Sequence, residues 1–188
     1  MPEEVISMIP PARINALIEL CGEVVIPGSV IEVGVYRGGS AIRLVHAFPE
    51  RQIYLADTFT GIPYDRKEGH HHKGLFGDVD FQAVQDLFAP YPNVKLLQGI
   101  FPNAFMDLLD QGHFAFVHLD CDMWESYLLS LGFLYPRTEK GGMIVFDDYM
   151  IGSAPGATLA VNTFMGGKEP LREYKQEYYI VKEAAWGV

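Results

Sequence analysis

The sequence is poor in cysteine and in basic residues, and each shortage excludes a class of protein. Its 188 residues include two cysteines, Cys21 and Cys121, which are too few for a disulfide framework and favour a reducing, cytoplasmic location. Lys and Arg number 14 against 24 Asp and Glu, which gives a formal net charge of −10. A nucleic-acid surface is therefore not expected, because phosphate contacts need clustered basic side chains.

Long apolar runs are also missing. No uninterrupted apolar stretch approaches the roughly 18–20 residues of a membrane helix, so we expect no membrane partner. The first twenty residues lack the basic region and the small-residue cleavage site of a secretory signal. Apolar residues nevertheless make up 49% of the chain, which predicts one globular domain over residues 1–188 with a sizeable core.

Short β-like runs alternate with helical runs along the chain. The apolar spacing predicts strands at 30–35, 52–57, 94–99, 114–120 and 143–148, and helices at 12–20, 41–48, 80–91, 103–110, 124–135 and 156–165. The segment 171–183 is predicted to form a closing hairpin that turns near Lys175 and Gln176. This alternation predicts an α/β fold with a doubly wound, mostly parallel sheet, whose ligands bind at the carboxyl ends of the strands.

Two of the predicted strands end on pairs of aspartates. Asp120 and Asp122 follow the fourth strand, and Asp147 and Asp148 end the fifth. If these strands are neighbours, the carboxylates gather, and two of them 4 Å apart repel by about 4 kcal/mol at an effective dielectric constant of 20. Either some are protonated or a cation lies among them. Oxygen ligands without His or Cys indicate Mg²⁺ first, with Ca²⁺ or Mn²⁺ as alternatives; helix capping or simple solvent exposure is the competing interpretation.

The first strand is followed by a glycine-rich turn. The segment IEVGVYRGGSA carries Gly34, Gly38 and Gly39 between a strand and a helix, a pattern that lets a ligand approach the backbone at a helix amino terminus. It lacks the G-x-G-x-x-G spacing of dinucleotide folds. Acids at Glu32 and Asp57 suit a ligand with an amino group and a ribose, whereas a tight strand-to-helix connection would explain the glycines alone.

Several segments together resemble the macrocin-type O-methyltransferases of antibiotic biosynthesis, which are metal-dependent. The segments are IEVGVYRGGSA, LADTFTGIP, VKLLQGIFPNAF, FVHLDCDMWES, LYPRTEKGGMIVFDDY and AVNTF. The resemblance runs from about residue 30 to the end of the sequence, and the pair HLDCDMWES and FDDY is its most specific part. It implies a seven-stranded class I methyltransferase sheet, S-adenosylmethionine as methyl donor, and a hydroxyl of a small molecule, a sugar or a glycosylated natural product, as acceptor.

The resemblance also implies roles for individual residues. The donor's methionine and ribose would be held by Glu32, Gly34, Gly38 and Ser40, its ribose hydroxyls by Asp57, and its adenine would lie near Gln98 and Gly99. Asp120 would border the donor and, with Asp147 and Asp148, bind Mg²⁺. Asp122 would be the general base; the alternative is a carboxylate that positions a metal-bound water.

The segment 60–78 is rich in Gly, Asp and His. We predict that it is an active-site lid, mobile without ligand, with His70, His71 and His72 as substrate contacts, because adjacent histidines lack the spacing of a zinc site. His118 is predicted to be a satisfied core histidine. Trp124 and Tyr127 are predicted to pack their helix against the sheet rather than to stack on a ligand.

Two other functions remain open from the residues alone. The DCD triplet has the D-x-D form that glycosyltransferases use to hold a metal and a nucleotide sugar, although the turn after the first strand does not support that interpretation. A non-catalytic donor-binding protein of the same fold is the second alternative. The sequence also leaves a homo-oligomer, such as a dimer, open.

Overall fold

The computed structural model describes residues 7–65, 67–103 and 113–183. The helices in this part of the chain are α1 (Pro11–Gly22), α2 (Ala41–Ala47), α3 (Phe81–Phe88), α4 (Trp124–Arg137) and α5 (Pro155–Met165). The strands are β1 (Ser29–Val33), β2 (Ile53–Asp57), β3 (Val94–Gln98), β4 (Phe114–Leu119), β5 (Thr138–Phe146), β6 (Arg172–Tyr174) and β7 (Glu177–Val181). None of these helices is long and apolar enough to cross a lipid bilayer.

The strands form one seven-stranded sheet in the order β3-β2-β1-β4-β5-β7-β6. Strands β1 to β5 run parallel to one another, whereas β7 is antiparallel to β5 and β6 is antiparallel to β7. The predicted doubly wound sheet is therefore confirmed. Its order reverses between β1 and β4, which is where sheets of this kind bind ligands.

Both faces of the sheet are covered by helices. Val117 of β4 belongs to a buried cluster with residues of α4 and α5, including Leu131 and Ala157. Phe116, the preceding residue, belongs to a second cluster with Leu17 of α1 and other residues of α2 and α3. Adjacent strand residues point to opposite faces, so one apolar strand serves both cores.

Most element boundaries agree with the sequence to within a few residues. The largest difference is at β5, which was predicted over 143–148 and begins at Thr138, directly after α4. Strand β1 ends at Val33 because Gly34 has φ +95°, which is outside the range of strands. Helix α4 continues past its predicted end to Arg137, and Pro136 lies in its last turn rather than after it. The helix predicted at 103–110 falls almost entirely outside the described residues.

The closing hairpin has the predicted turn. Lys175 and Gln176 connect β6 to β7 with φ values of +51° and +71°. Two successive residues with positive φ are typical of a two-residue turn that matches the twist of an antiparallel pair. The hairpin places β7 beside β5, with Val145 opposite Tyr179.

Candidate active site

A cavity of about 380 Å³ opens at the carboxyl ends of the central strands, at the point where the strand order reverses. Its described walls come from the β1–α2 turn, the end of β2, the loop after β2, and the segments that follow β3, β4 and β5. Helix α1 also contributes, through Arg13. The cavity therefore lies where the sequence predicted a ligand site.

Three aspartates converge on one side of this cavity. Asp120, Asp147 and Asp148 each offer a carboxylate oxygen, and these oxygens lie within 4.8 Å of one another. Strand β5 ends at Phe146 and the chain turns at once, so the consecutive residues Asp147 and Asp148 both reach the cavity instead of pointing to opposite faces. The predicted neighbouring of β4 and β5, with Leu119 opposite Phe146, is confirmed.

Asp148 is held by groups from the β4–α4 loop and from α4. Its Oδ2 accepts the backbone N–H of Asp122 at 2.9 Å and lies 2.9 Å from the hydroxyl oxygen of Tyr127. The same hydroxyl lies 2.7 Å from the carbonyl oxygen of Leu119 and accepts the N–H of Asp148 at 3.1 Å. Tyr127 packs in the core as predicted, and its hydroxyl also fixes one carboxylate of the site.

Asp147 is held by a cation from the first helix. Nη2 of Arg13 donates to Oδ1 of Asp147 at 3.0 Å and to the carbonyl oxygen of the same residue. On its other side the guanidinium faces Glu177 of β7, with 2.8 Å between Nε and Oε1. Arg13, Asp147 and Glu177 are all buried.

Glu32 lies apart from the cavity. Its Oε1 is 2.8 Å from Nδ1 of His118, and neither side chain is exposed to solvent. The predicted core position of His118 is thus confirmed, with Glu32 as the partner of Nδ1. The histidine is satisfied only in part, because within the described residues Nε2 has no hydrogen-bond partner and lies 3.9 Å from Oδ1 of Asp147. Burial opposes a charge on His118, yet the hydrogen bond and negative charge of Glu32 raise its pKa. The described residues that line the cavity do not include Glu32.

The group formed by Asp120, Asp147 and Asp148, here called the acid cluster, is electrostatically strained, and the strain extends to the neighbouring Asp122. Burial, followed by repulsion from Asp147 and Asp148, raises the pKa of Asp120 well above its ordinary value. Burial and Asp148 raise the pKa of Asp147 to about 7, although His118 and Arg13 oppose the shift. The pKa of Asp122 is also raised well above its usual range, by burial and then by Asp148 and Asp147. These shifts are those expected when anions gather without a cation.

Another part of the cavity wall is formed by the glycine turn after β1 and by Asp57. Gly34 approaches β4 so closely that a Cβ there would come within 1.6 Å of the carbonyl oxygen of Asp120. Asp57 accepts the N–H groups of Val35 and Tyr36 on Oδ2, at 2.7 and 2.8 Å. Its Oδ1 accepts the N–H of Phe59 at 2.7 Å. Asp57 therefore organises the glycine turn as well as lining the cavity.

The remaining residues of the predicted donor pocket divide into two groups. Ser40 and Gly99 line the cavity. Gly38 has φ +89° and faces α3, where a Cβ would meet a side-chain atom of Leu87 at 2.9 Å. Gln98 is exposed at the end of β3. Neither Gly38 nor Gln98 is among the described lining residues.

The histidine-rich loop covers the acid cluster through one of its three histidines. Nε2 of His71 lies 3.2 Å from Oδ1 of Asp122, and His71 is buried in the cavity wall, whereas His70 and His72 are exposed. Burial lowers the pKa of His71, against the effect of Asp148. The loop is also attached at Glu68, whose Oε2 accepts the N–H of Trp124 at 3.1 Å. Glu68 can pack closely against α5 because Gly156 has no side chain; a Cβ there would lie 1.7 Å from Oε2 of Glu68.

The donor set fits a hard divalent cation. The three clustered ligands are carboxylate oxygens, Asp147 and Asp148 are only 6% and 5% exposed, and the raised pKa values mark uncompensated negative charge. Mg²⁺ and its relatives prefer such oxygens. His71 contacts Asp122 rather than any of the three clustered carboxylates.

Strand order, cavity position and glycine turn together define a class I methyltransferase fold. The solved O-methyltransferase NovP superposes with a TM-score of 0.75 at 24% identity, covering 95% of this chain and 82% of that chain. The calicheamicin methyltransferase gives a TM-score of 0.79 at 21% identity, over 96% and 82% of the two chains. At these identities the likeness concerns the fold.

The family is shown by sequence. The model of the macrocin O-methyltransferases matches residues 1–173, and the chain belongs to this family. It is 31% identical to the 8-demethyl-8-(2,3-dimethoxy-alpha-L-rhamnosyl)-tetracenomycin-C 4'-O-methyltransferase of Streptomyces olivaceus, over 79% of this chain and 63% of that protein. It is 33% identical to the demethyldecarbamoylnovobiocin O-methyltransferase of Streptomyces niveus, over 67% and 54%. The chain thus spans less than two thirds of the length of these relatives.

Three residues of the site were not predicted from the sequence, namely Arg13, Tyr127 as a polar contact, and Glu177. A signal existed for Arg13. It lies on the same helical face as Leu17 and Leu20, at spacings of four and seven residues, and a basic side chain on an apolar face needs a buried partner. The partner itself could not be read from that pattern.

Proposed function

We propose that the protein transfers a methyl group from S-adenosylmethionine to a hydroxyl of a glycosylated small molecule. The observation that carries the proposal is the buried cluster of Asp120, Asp147 and Asp148, which faces a glycine turn across one cavity in a chain of the macrocin O-methyltransferase family. A cluster of this kind favours ionisation of a bound hydroxyl when it holds a cation, and the turn suits a donor with a ribose.

For the donor, we propose contacts with the residues that line the glycine side of the cavity. These are Gly34, Ser40, Asp57 and Gly99, joined by Asp120 at the border with the acid cluster. Oδ1 of Asp57 accepts the N–H of Phe59 and has only a long contact, 3.4 Å, with the hydroxyl of Thr58, which also donates to the carbonyl oxygen of Gly61 at 2.7 Å. A ribose hydroxyl would take the place of that long contact, since a carboxylate oxygen accepts about two hydrogen bonds. The other three predicted donor residues have different proposed roles. Gly38 allows the conformation of the glycine turn, and Glu32 pairs with His118. Gln98 lies at the exposed end of β3, outside the cavity lining.

For the metal, we propose Mg²⁺ on Asp120, Asp147 and Asp148. A divalent cation there supplies a Lewis acid, which lowers the pKa of a coordinated hydroxyl. The chain's own contribution is to hold the three carboxylates in one orientation and to keep bulk water away from them. Burial of Asp147 and Asp148 and their contacts to Arg13 and Tyr127 support this role.

Asp122 is the proposed proton acceptor. In the reaction the acceptor oxygen bonds to the methyl carbon, the carbon–sulfur bond breaks, and its electron pair returns to the sulfonium sulfur to give S-adenosylhomocysteine. The hydroxyl proton passes to Asp122, which lines the cavity and whose backbone N–H donates to Asp148 of the proposed metal site. Nε2 of His71, 3.2 Å from its Oδ1, is placed to orient that carboxylate.

The acceptor class is proposed from the relatives. Their names describe methylation within a rhamnosyl-tetracenomycin, a novobiocin precursor and mycinamicin III, all of which are natural products. A sugar hydroxyl on a bacterial secondary metabolite is the class that we propose for this chain.

The experiment is a methyl-transfer assay read by mass spectrometry. Purified protein with donor and Mg²⁺ is offered matched pairs of glycosides and their aglycones. We expect a gain of one methyl group on glycosides only, abolished by EDTA and restored by Mg²⁺. Undiminished turnover in EDTA would overturn the metal assignment. Thermal stabilisation by a nucleotide sugar, but not by the donor or S-adenosylhomocysteine, would favour a glycosyltransferase. Donor binding without any turnover would favour a non-catalytic donor-binding protein.

The loop at residues 60–78 is proposed as a lid that places His71 on Asp122. Hydrogen exchange should be slower across this loop when S-adenosylhomocysteine is bound, because the cavity beneath it is then filled. His71→Gln should lower kcat by about tenfold with little change in donor affinity, as expected for loss of one orienting contact. Equal hydrogen exchange with and without ligand would contradict the assignment of this loop as a lid. An unchanged kcat in His71→Gln would contradict the proposed role of His71.

A further inference from the structure

We propose that Arg13 of α1 is a positioning residue for Asp147, so that the docking of the first helix sets the affinity of the acid cluster for its divalent cation. The inference rests on the proposed function, since it takes Asp147 as a metal ligand. It assigns a role to a buried cation that neither the fold nor the acid triplet requires.

The contacts of Arg13 reach both the side chain and the backbone of Asp147. Nη2 lies 3.0 Å from Oδ1 and also donates to the carbonyl oxygen of the same residue. Both ends of the turn residue are therefore held by one guanidinium nitrogen.

The guanidinium is itself fixed by a second carboxylate. Glu177, at the start of β7, accepts a hydrogen bond from Nη2 on Oε2 at 3.3 Å. Its Oε1 lies 2.8 Å from Nε as an ion pair, without the alignment of a hydrogen bond. Glu177 is 0% exposed and Arg13 only 7%. A planar, rigid guanidinium held on two sides defines the orientation of the carboxylate that it contacts, which a flexible ammonium does not.

The hydrogen bonds described for the two remaining carboxylates come from other groups, although the charge of Arg13 also acts on both. Asp148 is held by Tyr127 and by the backbone of Asp122. Asp120 follows β4 directly, and its N–H donates to the carbonyl oxygen of Val33. Asp147 is thus the ligand whose geometry depends on α1, a helix far from it in sequence.

Charge and geometry predict opposite effects on metal affinity. A guanidinium beside a cation site repels the incoming cation, so its removal would tighten binding if charge alone mattered. If Arg13 orients Asp147, its removal weakens binding instead, because groups that orient metal ligands typically change affinity by about 10- to 100-fold. The sign of the change therefore separates the two roles.

The test is Mn²⁺ binding to the protein without donor or acceptor, followed by electron paramagnetic resonance. Arg13→Met and Arg13→Lys are compared with wild type and with Arg51→Met. Arg51 serves as the control because it is partly buried and likewise donates to backbone carbonyl oxygens, those of Gly28 and Val24. These contacts lie near the amino end of β1, away from the acid cluster at the carboxyl ends of the strands. Circular dichroism verifies folding, and calorimetry measures donor binding.

We expect Arg13→Met to weaken Mn²⁺ binding by about tenfold or more, Arg13→Lys to weaken it by a smaller factor, and Arg51→Met to leave it unchanged. Donor affinity should stay within about twofold in every variant. If Arg13→Met does not fold, Arg13→Lys decides, because it keeps the charge and changes only the geometry.

Tighter or unchanged Mn²⁺ binding in Arg13→Met would overturn the inference, as would unchanged binding in Arg13→Lys. A donor affinity that falls as far as the Mn²⁺ affinity would assign Arg13 to the donor and overturn it too. If wild type binds no Mn²⁺, the metal site itself is wrong and the inference falls with it. In that case methyl transfer that persists in EDTA would leave the proposed activity standing.

Discussion

The two sides of the cavity differ in how their carboxylates are stabilised. On the glycine side a single carboxylate, Asp57, accepts three backbone N–H groups, so it is satisfied by the chain alone. On the acid side, Asp120, Asp147 and Asp148 crowd together with oxygens within 4.8 Å. Arg13 and Tyr127 compensate them only in part, and their pKa values remain raised.

This difference indicates that one side is complete before any ligand binds and the other is not. The fold already orients the backbone amides, so no free energy is spent on turning them toward a carboxylate. Clustered carboxylates repel one another, and this repulsion raises the free energy of the folded state until a proton or a cation binds among them. Variants of the two sides should therefore affect different measurements.

Asp148→Asn should have the largest effect. Loss of one carboxylate from the cation site removes several kcal/mol of transition-state stabilisation, so kcat should fall on the order of 10³-fold. Donor affinity should stay within a few-fold, because the proposed donor contacts lie on the glycine side. Mass spectrometry gives the turnover and calorimetry the affinity, with the exposed Asp86→Asn as control. Equal losses of turnover and donor affinity would contradict a division between the two sides.

Gly34→Ala should disturb the point at which the two sides meet. The new Cβ would lie within 1.6 Å of the carbonyl oxygen of Asp120, at φ +95°. We expect a loss of about 3 kcal/mol of unfolding free energy from the combined overlap and backbone strain, measured by urea denaturation. Gly74→Ala is the control, since Gly74 also has a positive φ, +82°, but nothing within 4 Å of an added Cβ. Equal destabilisation by both changes would show that close approach is unimportant.

Asp57→Asn should affect the glycine side alone. An amide can replace only part of the acceptor capacity that three N–H groups use, so the turn should loosen and lose its charge-assisted contact to the donor. Donor binding should weaken by about 1.5–3 kcal/mol, or roughly 10- to 150-fold, in calorimetry. Mn²⁺ binding should be unchanged. A matching loss of Mn²⁺ affinity would mean that the two sides are coupled through the turn.

The pH dependence of stability should give the smallest effect. Carboxyl groups with raised pKa values stabilise the folded state below their ordinary range and lose that contribution as pH rises through the raised values, about 7 for Asp147. In EDTA, stability should fall by on the order of 1–2 kcal/mol between pH 5.5 and 8. Thermal melts should show a shallower slope for Asp147→Asn, and for wild type with saturating Mg²⁺. Identical slopes in all three would show that the acid cluster is not strained.

Much of the fold followed from local patterns. Each central strand is a short apolar run with a helix after it, and the acids after β4 and β5 could be placed at one edge because parallel strands end at the same side of a sheet. The segment YMIGSAPG, which follows Asp148, carries glycines and a proline that favour the turn Asp147 and Asp148 need in order to converge.

Other features depended on contacts that local patterns do not contain. Arg13 is separated in sequence from Asp147 by 134 residues and from Glu177 by 164 residues. The grouping of these three residues therefore follows from tertiary structure alone. Glu32 was predicted to reach the donor, but the sequence did not indicate its partner: the register sets it opposite His118, on the same face of the sheet, where its Oε1 contacts Nδ1 of that residue. Among three adjacent histidines, only the loop conformation decides that His71 faces Asp122.

The ion pair between Arg13 and Glu177 joins one of the first secondary-structure elements to the last strand of the sheet. Ribosomal synthesis proceeds from the amino end, so the guanidinium emerges long before the carboxylate that fixes it. Until β7 is added beside β5, a buried arginine would lack half of its compensation. We therefore expect the acid cluster to mature late in biosynthesis. A ribosome-bound chain stalled before Glu177 has emerged should bind Mn²⁺ more weakly than one stalled after it, and equal binding would contradict this order of assembly.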